Sequence, residues 1–211
     1  MQYKDNPIIG NAKEIFHDHY TNNLWGSEES VSGPGSTIQY KENIRKEIPK
    51  LVKNLGIKVF LDAPCGDFNW FRMISWQEPI QYIGADIVEP LINRNKLLYG
   101  NDNRHFTYLD ITQDTLPKAD IWLCRDCLFH LSNKDIISVI DKFLSSGIKY
   151  LLTSTHSNSE NEDITTGSFR LLNLQKDPFN FGQPIAFIED WIQGYPIRHL
   201  ALWERESIRI E

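Results

Sequence analysis

The sequence predicts an α/β domain built on a mostly parallel sheet with helices on both faces, and three observations carry that prediction. Short apolar runs at 59–62, 81–86, 106–109, 121–124 and 150–154 alternate with helix-like stretches at 68–76, 90–99 and 135–144, and alternation of this kind goes with crossover connections and parallel pairing. The run Val59-Phe60-Leu61 suits a central strand buried on both faces, and Pro64 to Asp67 supply the turn chemistry that ends it. With 211 residues, 41% of them hydrophobic and 12% aromatic, the chain is long and apolar enough for one domain with a sizeable core.

Taken in order, residues 12–22 place Ile15, Phe16, His19 and Tyr20 at helical spacing, which predicts a packing helix. A polar loop with Trp25 and Gly33-Pro34-Gly35 follows. Trp25 is costly to leave in water, and Ser36 or Thr37 is a good N-cap for the next helix, so the loop is expected to close over a ligand rather than to serve as a flexible linker. Residues 1–36 are thus read as an N-terminal helix and cap, and residues 37–211 as the main domain. Between 37 and 55, Ile38, Ile44, Ile48, Leu51, Val52 and Leu55 recur near a 3.6 period and Gly56 supplies a stop, while Pro49 predicts a kink or a break. After Thr155 the chain is polar to 168, a loop long enough to be expected to carry function, and apolar content returns at 169–172, 184–188 and 199–203.

Charge and cysteine usage exclude several classes. A net charge of −6 without a Lys/Arg run argues against a long nucleic-acid partner. No stretch approaches the roughly 18 apolar residues of a membrane span, and residues 1–6 lack the apolar core of a signal peptide, so a cytoplasmic location is expected. The three cysteines, Cys65, Cys124 and Cys127, fit a reducing compartment. Cys124-x-x-Cys127 has no second Cys or His pair to complete a zinc site, so packing and loop roles are expected, and no metal.

The end of the 59–62 strand is the expected ligand site, because in open α/β sheets ligands bind at the carboxyl ends of the strands. Gly66 lets backbone approach a ligand, the helix expected next would offer unpaired N–H groups, and Asp62 leaves a carboxylate at the lip. A phosphate loop would want more glycine and a Lys, and a dinucleotide fingerprint two further small residues.

The loop Asp62-Ala63-Pro64-Cys65-Gly66-Asp67 resembles motif I of the class I S-adenosylmethionine-dependent methyltransferases, in a Pro-Cys-Gly variant. The stretches 80–87, ending in Asp86-Ile87, 108–112, containing Asp110-Ile111, and 119–126, ending in Arg125-Asp126, resemble that family's second, third and fourth strands in order. The resemblance implies a Rossmann-like, doubly wound sheet of seven strands with an antiparallel last strand, and S-adenosylmethionine as cofactor. Asp62, Ala63, Pro64 and Gly66 would then meet its amino-acid end, with Arg125 or the 32–36 loop at its carboxylate. Asp86 and Ile87 would meet the ribose, and Asp110 and Ile111 the adenine. Pro64 stands where the family often has glycine and removes one backbone donor.

The acceptor would sit beyond the fourth strand, where Asp126 and His130 fall on one face if a helical turn starts at Asp126; His130 is then a base or acceptor-binding group, or simply a packed histidine. Certain quinone-biosynthesis methyltransferases carry a Glu-x-x-Glu-His metal cluster in this region, but Phe129 replaces its middle acid. The stretches 25–30 and 32–36, together with 62–70, resemble bacterial methyltransferases encoded near surface-polysaccharide or secondary-metabolite pathways. Trp25, His156 and Arg170 are the expected substrate contacts, and with the aromatic and polar inventory around them they suggest O-methylation of a sugar or phosphorylated small molecule. An amine acceptor, or a non-catalytic binder of the cofactor, stays open.

Overall fold

The computed structural model describes residues 10–209, so the 1–6 segment read above for a leader lies outside them. Seven strands form one sheet: β1 (Val59–Asp62), β2 (Gln81–Asp86), β3 (Arg104–Tyr108), β4 (Ile121–Cys124), β5 (Tyr150–Thr155), β6 (Ala186–Glu189) and β7 (His199–Glu204). Their order is β3-β2-β1-β4-β5-β7-β6, parallel from β3 to β5, with β7 antiparallel to both β5 and β6. The strand order reverses between β1 and β4, and a crevice opens there at the carboxyl ends.

Side-chain alternation divides the core into two layers. Leu61, Trp122, Cys124 and Leu151 point to one face, where they meet Ile136, Val139, Ile140 and Phe143 of α4 (Asn133–Ser146). Phe60, Ile121, Leu123 and Leu152 point to the other, against Ile44, Ile48 and Val52 of α2 (Glu42–Leu55). The remaining helices are α1 (Ala12–Thr21) and α3 (Glu89–Tyr99). Among the described residues no helix is long and apolar enough to cross a membrane.

Local chemistry sets the ends of these helices. Asn11 and Glu14 form a reciprocal capping box at the start of α1. Helix α2 begins at Glu42, not 37, because 37–41 is spent on turns in which the Thr37 hydroxyl donates to the Pro34 carbonyl. Pro49 lies inside α2 without dividing it, and Gly56 ends it with a left-handed φ of 66°.

One expected element is absent. Residues 68–76 form no α-helix, only a 3-10 turn at Phe71–Met73. Two side chains and one backbone angle oppose a helix: Asp67 accepts from the Asn69 N–H, Asn69 donates its amide to Glu29 and to the Ser36 carbonyl, and Phe68 takes a positive φ of 60°. Rings cover the sheet where a helix would have done so. Phe68 lies 5.1 Å from Tyr82, 5.2 Å from Phe106 and 5.3 Å from Tyr99 between centroids, packing that holds a strained backbone in place.

A buried ionic cluster joins three distant segments. Asp190, after β6, accepts from Lys41, from Arg125 Nε at 2.8 Å at the end of β4, and faces Arg198 Nη2 at 3.2 Å just before β7. Burial alone would push the Asp190 carboxyl up, but Arg125, Lys41 and Arg198 hold it below its ordinary value. Burial likewise pushes the Lys41 ammonium down; an ionised Asp190 is the direction that stands, since two arginines face it as well. Removing one partner of such a cluster strands the others uncompensated. Asp190→Ala is therefore expected to lower unfolding free energy by about 3–5 kcal/mol in urea titrations; an unchanged midpoint would show that the cluster does not hold these segments together.

Candidate functional site

A cavity of about 650 Å³ runs along the carboxyl ends of the strands, roofed by α1 and residues 25–40. Asp62, Pro64 and Gly66 line it after β1, Asp86 and Ile87 after β2, Asp110 and Ile111 after β3, and Arg125, Asp126 and His130 after β4. Trp25 contributes from the roof.

The loop after β1 presents no spare donors. Ala63 N–H goes to the Leu123 carbonyl at 3.0 Å, Cys65 N–H to Ala85 at 2.8 Å, Gly66 N–H to Asp86 Oδ2 at 3.0 Å and Asp67 N–H to Ser32 Oγ at 3.1 Å. With the expected helix missing, there is no row of free N–H groups either, so the seat favours a donor or cationic group over an anion. Gly66 has a φ of 55°, and a Cβ on it would stand 2.2 Å from Ser32 Oγ. Any side chain there would push the roof away.

Roof and loop are fastened directly. Asp67 accepts from the Val31 N–H at 3.1 Å, and Asn69 bonds the Ser36 carbonyl at 3.3 Å. Residues 31–36 border the cavity, where the sequence places a cap.

The carboxylates along the edge are strongly perturbed. Burial pushes Asp62 up to about 8, against the pull of the Tyr82 hydroxyl that donates to it at 2.8 Å. Burial also pushes Asp86 up to about 6, partly offset by the N–H groups of Val88 and Gly66. Asp110 accepts on one oxygen from the N–H and hydroxyl of Thr112, at 2.9 and 2.7 Å. Its other oxygen remains for a ligand.

Beyond β4 the geometry differs from the expected helical turn. Asp126 has a positive φ of 52°, and the following 3-10 turn spans Leu128–His130. Asp126 does not orient His130; it binds Arg125 Nη2 at 2.7 Å and Arg198 Nη1 at 2.9 Å. Ser168 orients the imidazole instead, its carbonyl 2.8 Å from Nδ1. A carbonyl only accepts, so Nδ1 carries the proton and Nε2 keeps its lone pair. Burial pushes this ring down to about 4, and it is neutral at pH 7. Arg125 is likewise committed to Asp190, Asp126 and the Gly35 carbonyl, which leaves its Nη1 as the nitrogen without a partner among the described residues.

Three expected contacts turn away from the cavity. Ala63 is fully buried, and its carbonyl accepts from Trp122 Nε1 at 2.8 Å. His156 is buried with Nδ1 accepting from the Leu172 N–H at 3.1 Å, because a buried backbone donor there needs a partner. Arg170, only 2% exposed, donates to the carbonyls of Leu131 and Glu162 and to Asn133. Both residues pin the 156–174 segment against the domain. Cys124 and Cys127 are buried free thiols, and among the described residues no group of three His, Cys, Asp or Glu is placed to hold a metal.

Several cavity residues carried no signal in the sequence. Phe16, Tyr40, Phe129, Phe169, Tyr195 and Arg198 all line it. Only Phe129, next to His130, and Arg198, an isolated cation before an apolar run, stood where a site residue could have been sought.

No family model and no curated protein matches the chain. Solved structures do. Magnesium protoporphyrin IX methyltransferase from Synechocystis, crystallised with S-adenosylhomocysteine, aligns at a TM-score of 0.61 with 14% identity over 92% of this chain and 97% of that one. A Burkholderia thailandensis 1,6-didemethyltoxoflavin-N1-methyltransferase aligns at 0.61 with 13% identity over 95% and 92%. The N-methyltransferase NodS from Bradyrhizobium japonicum aligns at 0.52 with 13% identity over 78% and 98%. The fold is that of the class I S-adenosylmethionine-dependent methyltransferases. In this methyltransferase fold one cavity brings together a donor-poor loop with the Asp62 carboxyl, Asp86, and Asp110 beside the apolar Leu91, Leu109 and Ile111.

Asp62 also makes stability depend on pH. Its value rises from an ordinary 3.8 to about 8 on folding, so the folded state holds an extra proton between those limits and loses stability as pH climbs through that window. Against Asp62→Asn, the wild type should lose on the order of 5 kcal/mol of relative stability from pH 4 to pH 8. Parallel denaturation curves at every pH would refute a buried, protonated Asp62.

Proposed function

We propose that the chain is an S-adenosylmethionine-dependent methyltransferase that methylates a hydroxyl oxygen of a small acceptor, with Nε2 of His130 receiving the hydroxyl hydrogen. The observation that carries this is the free nitrogen of a neutral His130 facing the same cavity as the carboxyls after β1, β2 and β3. When bound, the cofactor supplies an activated methyl group. The chain's own residues do the rest: Asp86 and Asp110 orient the nucleoside, Asp62 meets the amino group, and the 31–36 segment excludes water.

The acceptor expected from sequence, a sugar or phosphorylated metabolite, leaned on His156 and Arg170, and both are spent on backbone carbonyls and amides. Free cysteines at 65, 124 and 127 support a reducing, cytoplasmic setting. An amine acceptor is the second reading; the Burkholderia neighbour is named as an N1-methyltransferase. A non-catalytic binder would have no use for an oriented, unprotonated imidazole in the cavity.

Replacing His130 by Ala should lower kcat by about 10²–10⁴-fold while leaving S-adenosylhomocysteine affinity, read by calorimetry, within about twofold. Full activity in the variant would remove His130 from the reaction. Turnover is also expected to survive a chelator, since Asp126 is bound by two arginines and is not free to ligate; a strict need for added magnesium would overturn that reading.

A further inference from the structure

Around His130 the cavity wall is made of rings. Trp25 lies 6.4 Å and Phe169 5.8 Å from the imidazole between centroids, Phe129 4.6 Å, and Phe129 and Phe169 meet edge-on at 5.5 Å. Phe16 and Tyr20 of α1 border the same space. These rings come from the roof, from the turn after β4 and from the end of the long loop after β5. Phe169 lines the cavity and is still 41% exposed, so part of a large apolar ring is left uncovered by the described residues.

Tyr40, Tyr195 and Arg125 also line the cavity, Tyr40 and Tyr195 packed on each other, and Arg198 lies 5.8 Å from the Phe129 ring; few other polar atoms stand beside the rings around His130. His130 Nε2 is free, and the Tyr20 hydroxyl has no partner among the described residues. The Asp126 carboxylate is taken by Arg125, Arg198 and the Ser154 hydroxyl. A saturated polyol brings a donor and acceptor on nearly every carbon, and most would lose their water here without a replacement. A flat ring loses little water and gains contact with every wall.

Resting on the methyl-transfer reading above, we infer that the acceptor is a phenol-type compound, a hydroxyl on a planar aromatic or heteroaromatic ring, held among Trp25, Phe129 and Phe169 with its hydroxyl on Nε2 of His130. A neutral, weakly basic imidazole points the same way: it is a poor match for an alkyl alcohol and a better one for a phenol, whose hydroxyl ionises near pH 10. In the step, the phenolic oxygen forms its bond to the methyl carbon as the carbon–sulfur bond breaks. The bonding pair stays on sulfur, and the hydroxyl proton passes to Nε2 and then to solvent.

The test uses 2-naphthol and catechol against myo-inositol and methyl glucoside, read by calorimetric binding in the presence of S-adenosylhomocysteine and by product release with S-adenosylmethionine. Expected are binding and turnover of the phenols at least tenfold above the polyols. Phe169→Ala and Trp25→Ala should each weaken phenol binding about tenfold with S-adenosylhomocysteine affinity unchanged. Trp25→Phe, which keeps a ring, should restore most of it. Preferential turnover of the polyols, or phenol binding indifferent to both alanine variants, overturns the inference while methyl transfer stands. Failure of S-adenosylhomocysteine to bind overturns the underlying function instead, and 2-naphthol titrated alone then decides the ring site separately: no binding sinks it too.

Discussion

The site depends on one buried carboxylate. Asp190 has no exposed side-chain surface, and an anion in that position persists only among cations. Its three partners come from the start of α2, the end of β4 and the start of β7, so neutralising one charge fixes the relative positions of roof, floor and far wall. Arg125 and Arg198, once anchored on Asp190, turn their remaining nitrogens to Asp126. That is why Asp126, four positions before His130, is a strut of the floor and not a free base.

With Asp126 committed, the polarity of the cavity divides cleanly. The half over β1 to β3 is rich in carboxyl oxygen and has its loop N–H groups already bonded. The half beyond β4 is walled by rings around a single free imidazole nitrogen. The two halves belong to one continuous space, and the roof segment borders it from Trp25 to Ser32.

Most of the fold was legible because a sheet buried on both faces is written as short continuous apolar runs: β1, β2 and β4 fall on the runs at 59–62, 81–86 and 121–124. The 68–76 helix was misread because its apolar residues, Phe68, Trp70 and Phe71, fit a helical period, whereas Asp67 and Asn69 redirect the backbone toward a roof that lies more than thirty positions earlier in the chain. That Asp62, Asp86 and Asp110 would border one cavity was legible because each stands at or just after a strand end. His156 and Arg170 were misassigned for a different reason. A polar side chain in a loop looks the same whether it faces a ligand or satisfies buried backbone, and only tertiary contacts such as Leu172 N–H and the Leu131 carbonyl separate the two. Asp190 was illegible for the same reason, since its partners Lys41 and Arg125 lie 149 and 65 positions earlier in the chain.

The raised carboxyls give the last link between structure and function. Burial that pushes Asp62 to about 8 keeps a proton on it at pH 7, while Asp86, pushed only to about 6, is mostly ionised there. A cationic ligand reverses that balance, because an opposite charge favours the ionised carboxylate, so binding it draws protons out of the cleft. On the proposed reading the ligand arrives with a positive ammonium and a positive sulfonium, and methyl transfer removes the second of these charges. The cleft then holds a product that satisfies its carboxylates less well than the substrate did, while the ring half holds an acceptor that has exchanged a hydroxyl on His130 for an ether that cannot donate. On that reading both changes weaken binding on the product side.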